Sequence, residues 1–153
     1  MRRRLLTVIA AVTVLLTVAG VAVAAAPDGR GDVALHGRGG LWAKGRGTAV
    51  LDGGGVVRMK ISGDVVITDH TGDAIIRISD RPDAAAESTQ VVLTDFTGVI
   101  SVRGSGFTVE ATGHMKLHAK GRGTAFLSGR GVYFTRHGNG RWTPDGVEVA
   151  FTE

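Results

Sequence analysis

From residue 29 onward the chain is punctuated by glycine every few residues. The runs between the glycines are short and rich in Val, Ile, Thr and Phe. Those side chains suit a pleated, half-buried surface and disfavour a helix. Several runs alternate with a period of two. Val57, Met59 and Ile61 oppose Arg58 and Lys60. Phe107, Val109 and Ala111 oppose Thr108 and Glu110. Val147, Val149 and Phe151 oppose Glu148, Ala150 and Thr152. This is the pattern of strands with one packed face and one wet face. Strand starts recur about every eight residues, near Val33, Leu41, Thr48, Val56, Val65, Ala74, Val91, Val99, Phe107, Met115, Thr124, Val132, Arg141 and Val147. The stretch from Asp80 to Thr89, with Pro82 and three alanines, reads as the one irregular loop.

The fold class expected is all-β: an antiparallel meander closed as a barrel or folded as a sandwich. In that reading Asp52-Gly53, Ser62-Gly63-Asp64 and Gly138-Asn139-Gly140 are hairpin turns. Closure would remove sticky strand edges. The alternative is a β-solenoid, in which each glycine cluster is a corner.

An internal repeat sharpens the expectation. Ala43-Lys-Gly-Arg-Gly-Thr-Ala-Val-Leu51 returns as Ala119-Lys-Gly-Arg-Gly-Thr-Ala-Phe-Leu127, and the match extends over 33–60 and 109–136. It predicts two pseudo-equivalent halves. Aligning them places Arg58 at the position of Phe134, so either a bulge shifts one half or Tyr133 and Phe134 put apolar surface on both faces. A shorter echo links Thr68-Asp69-His70-Thr71-Gly72 with Thr94-Asp95-Phe96-Thr97-Gly98.

The N-terminus reads as an export signal. Arg2, Arg3 and Arg4 precede an uncharged apolar run from Leu5, then small residues and an Ala22-Val23-Ala24 cleavage pattern. Residues 1–26 are therefore expected to be a signal peptide and 27–153 one all-β domain. If uncleaved, the segment is long enough to anchor the chain, because a span needs roughly 20 apolar residues. The predicted location is secreted or extracytoplasmic. Three of the 18 basic residues and none of the 14 acidic ones lie in the signal, which leaves 15 against 14, or +1. The near-neutral remainder argues against a nucleic-acid partner. With no cysteine, disulfides and thiol catalysis are excluded.

Charge along the chain is uneven. Arg103–Arg141 holds seven basic residues and one acidic. Ile61–Val99 holds seven acidic and two basic. On a strand, His114, Lys116, His118, Lys120 and Arg122 line one face. The ligand-binding residues proposed on this basis are Lys44, Arg46, His118, Lys120 and Arg122, facing an anionic envelope polymer or a glycan. Trp42, Trp142 and Tyr133 are candidates for sugar stacking or for the core. His114 and His118 lie about 13 Å apart on a strand, too far to share a metal ion, and no cofactor is expected. Asp69 and Asp95 form a carboxylate pair that would serve an exported glycan hydrolase. Both also sit in sequences that favour Asx turns.

The phrase Gly-x-Gly-Thr-Ala-x-Leu-x-Gly-x-Gly, at Gly45–Gly55 and Gly121–Gly131, resembles uncharacterised small exported bacterial proteins built of repeated glycine-rich strands. The resemblance implies fold and export and adds no catalytic residues. The function expected is a non-catalytic binding or structural module of the cell envelope. A glycan hydrolase and a self-associating surface protein are the alternatives.

Overall fold

The computed structural model describes residues 40–79 and 89–152; residues 1–39, which include the expected signal peptide at 1–26, and residues 80–88 and 153 lie outside them. Among the described residues the protein is all-β and has no helix. Five strands form one antiparallel sheet: β1 (Leu41–Asp69), β2 (Ile75–Ile78), β3 (Gln90–Thr135), β4 (Gly138–Arg141) and β5 (Val147–Thr152). The anticipated row of short strands is therefore mostly two very long ones, of 29 and 46 residues. Neither contains proline, which would have cost a ladder hydrogen bond.

The register explains how such long strands stay compact. Every stretch of β1 has β3 on both sides. Ala119 pairs with Leu41 on one side and with Val57 on the other, and Leu117 pairs likewise with Ala43 and Met59. Residues of β1 that are 16 apart thus flank the same β3 residue. The two strands form a ribbon that winds upon itself, each turn pairing with the next. The sheet does not close as a barrel, because that offset brings the ribbon back one turn higher instead of onto its own starting edge.

Glycine makes the winding possible. In β1 and β3 the glycines at 47, 55, 63, 113, 121 and 129 take positive φ, eight residues apart within each strand. They are corners inside strands, and Gly53 and Gly63 are not hairpin turns. Gly138–Arg141 is likewise a strand, paired with Val132–Thr135. Gly47 illustrates the requirement. Its φ is +148°, and a Cβ there would lie 2.0 Å from the Ser128 carbonyl oxygen and 2.9 Å from the Gly129 Cα.

The repeated phrase does not build two separate halves. Its two copies lie side by side on opposite strands of the ribbon. Gly45 faces Gly131, Gly47 faces Gly129, Gly53 faces Gly123 and Gly55 faces Gly121. Ala49 faces Leu127 and Leu51 faces Ala125, so at these two pairs a small residue meets a large one. The phrase is complementary to its own reversal.

Odd-numbered residues of β1 point inward from Leu41 to Ile67. In β3 the inward parity changes twice. Between Phe96 and Leu93, and again between Phe107 and Gly104, β3 takes three steps where β1 takes two. These β-bulges turn Ile100 and Val102 inward, beside Ile78 and Ile76 of β2. Asp95, with φ +50°, sits at the first bulge and its N–H donates to Asp64 Oδ1 at 2.9 Å. The resulting core is wholly apolar among the described residues, with Leu41, Leu51, Met59, Ile61, Ile67, Ile100, Leu117 and Leu127 fully buried. Trp142 joins it, lying over the Gly45–Gly131 pair.

Candidate functional site: a basic face

The corners sort the outward side chains into two faces. Within the β1–β3 ladder, residues 41–46, 56–62, 97–103, 114–120 and 130–135 pair only with one another, with β2 beside 100–103 and β4 beside 132–135. Residues 48–52, 64–68, 90–93, 108–112 and 124–128 form a second such set, with β5 beside 124–127. Charge follows the same division. The first face carries Lys44, Arg46, Arg58, Lys60, Arg103, Lys116, Lys120 and Arg130. The second carries Asp52, Asp64 and Glu110, with Glu148 of β5 alongside Phe126.

Across the basic face, like charges are direct neighbours. Lys116 lies opposite Lys44 on one side and Lys60 on the other, a row of three lysines on adjacent strands. Arg46 lies between His114 and Arg130, and His118 lies between Trp42 and Arg58. Strands are about 4.8 Å apart, so the row is a tight line of positive charge. Like charges directly opposite each other destabilise a sheet, by roughly 0.2–1 kcal/mol per pair. An anionic ligand would relieve that repulsion.

Four of the five proposed binding residues, Lys44, Arg46, His118 and Lys120, fall on this face. Arg122 does not. It points outward with the same parity, but the corner at Gly121 intervenes and it pairs with Gly54 and Thr152. Arg58 and Lys60 also stand on this face, opposite His118 and Lys116, and are not among the five. Both were visible as the polar side of an alternating run, but nothing local places them beside His118 and Lys116. Burial pushes the His118 imidazole below its usual pKa, and the positive charge of Lys120 adds to the effect.

The aromatics divide. Trp142 is core, and Tyr133 packs against the core. Trp42 stands on the basic face, half-buried, with the Phe134 ring 5.3 Å away and inclined by 51°. The Lys116 Nζ lies 5.9 Å from the Trp42 ring centroid. Phe134 and Arg58 are both outward and no bulge separates the copies there, so Tyr133 and Phe134 do put apolar surface on both sides of the sheet. Trp42, Arg58, Lys60, Val99, Lys116, Leu117 and His118 line a groove of about 450 Å³.

The carboxylate pair does not converge. Asp69 closes a turn after β1: its Oδ1 accepts from the N–H of Thr71 (3.0 Å) and Gly72 (2.9 Å), and its Oδ2 from the N–H of Ala74 (2.9 Å). Asp95 lies at the bulge, beside Asp64. Asp69 therefore acts as a turn former, and Asp95 as a residue of the bulge. The Ala74 N–H foremost, with those of Gly72 and Thr71, holds the Asp69 carboxyl below its usual pKa. Its contribution to stability is full above the ordinary carboxylate range and is lost as the pH falls through the lowered folded-state value. The Asp69→Asn variant should melt below the wild type at pH 7, and the gap should close in acid. A gap that persists at pH 2 would refute this role.

No protein family, curated protein or solved structure matches the chain.

Proposed function

We propose that the protein is an exported, non-catalytic β-domain that binds an anionic polymer or acidic glycan of the cell envelope through its basic face. The observation that carries this reading is the lysine row Lys44–Lys116–Lys60. The fold places three cations side by side at a cost to its own stability, and a polyanion is the partner that offsets the cost. The surrounding Arg46, Arg58, Lys120 and Arg130 extend the positive surface along the strands. Export rests on the N-terminal sequence pattern.

The test is titration of the purified protein with oligogalacturonate and with a glycerol-phosphate polymer, against neutral dextran. Both polyanions should bind, and affinity should fall steeply as salt rises. Equal binding to dextran, or binding indifferent to salt, would sink the proposal.

Self-association is a second reading, favoured by one observation: the acids and the bases lie on different faces of the ribbon. The basic face of one copy would meet the acidic face of the next. Light scattering that finds a strict monomer at high concentration and low salt would remove it.

A further inference from the structure

We propose that the groove beside Trp42 is a subsite for one acidic sugar ring, a pyranose bearing a carboxylate, within the bound polymer. This rests on the reading of the basic face as a polyanion-binding surface and narrows it to a class of ligand.

The argument comes from the two unlike walls. Trp42 of β1 stands on one side and Arg58 and Lys60, a turn further along β1, stand on the other. The Lys116–His118 segment of β3 runs between them as the floor. The walls are two strand spacings apart, about 9.6 Å between backbones. Phe134 packs against Trp42 and restricts its ring. One wall is therefore an aromatic ring, with the flexible Lys116 side chain reaching over it (Nζ 5.9 Å from the centroid), and the other is cationic.

A chain of phosphates has no ring to lay on an indole. A neutral sugar has no charge for Arg58 and Lys60. A hexuronic acid has both: an apolar face of C–H bonds for Trp42, and a carboxylate that the forked Arg58 guanidinium can take in paired hydrogen bonds. His118 lies at the floor, and burial favours its neutral imidazole, which can donate to one sugar hydroxyl and accept from another. Val99 adds an apolar patch. A volume of about 450 Å³ lies within the range of small-ligand sites.

Calorimetric titration of the purified protein at one low ionic strength would use trigalacturonate, tripolyphosphate and neutral maltotriose. Trigalacturonate should bind tightest. Trp42→Ala should weaken trigalacturonate about tenfold or more and leave tripolyphosphate within about twofold, since only the stacking contact is lost. Trp42→Phe should recover part of the loss, and it keeps the test usable should the alanine variant fold poorly. Arg58→Gln should weaken both anions. If both anions bind and Trp42→Ala affects them equally, or affects neither, the subsite is wrong while the polyanion surface stands. Maltotriose binding as tightly as trigalacturonate would also overturn the subsite. If neither anion binds, the polyanion reading falls and takes the subsite with it.

Discussion

Replacing Gly47 with alanine should cost the fold about 4 kcal/mol, most of the stability of a domain near the lower end of the usual range of about 5–15 kcal/mol. Two penalties act together. The backbone there has φ +148°, a conformation that a side chain strains. The new Cβ would also drive into the Ser128 carbonyl oxygen, which belongs to the paired strand and cannot swing aside. Relief means separating β1 from β3 at a corner on which the next turn of the ribbon is stacked, since Gly47 pairs with both Gly113 and Gly129. Gly72→Ala supplies the comparison. Gly72 also has positive φ, +78°, but nothing lies within 4 Å of its would-be Cβ. Its replacement should cost only about 1–2 kcal/mol. Urea denaturation of both variants would decide the matter, and equal losses would refute the interlocked-corner account.

Lys116→Glu should act in opposite directions on stability and on binding. It sets a carboxylate between Lys44 and Lys60 and turns two repulsive pairs into two attractive ones. The fold should gain up to about 1 kcal/mol, the usual scale for exposed cross-strand charge pairs. Polyanion affinity at low salt should fall by about a hundredfold, because the centre of the lysine row now repels the ligand. A control is Glu110→Gln, which removes a charge on the other face and should leave binding at the groove intact. A Lys116→Glu protein that binds as well as the wild type would remove the basic face as the binding surface. One that is also less stable would contradict the reading of the row as repulsive.

Much was legible in the sequence. Period-two alternation across Val57–Ile61 and Phe107–Ala111 fixed which side chains point inward, because side-chain direction along a strand is a local property. The same parity placed Lys44, Arg46, His118 and Lys120 outward. The repeat was equally visible, although its meaning was not. Two copies 76 residues apart suggested two halves, whereas they serve as two strands that pair with each other, alanine to leucine and glycine to glycine.

What the sequence could not settle was what each glycine does. A positive-φ glycine can reverse a chain at a hairpin or bend a strand that continues, and the residue carries the same local signature in both cases. Only pairing decides between them, and pairing is long-range: Gly47 is a corner because Gly113 and Gly129 lie beside it. The basic face has the same origin. Alternation puts Arg58, Lys60 and Arg122 outside alike. The 16-residue winding then brings the first two next to His118 and Lys116, and the corner at Gly121 turns the third away. Local sequence thus determined inside against outside, and tertiary register alone determined which outside residues meet.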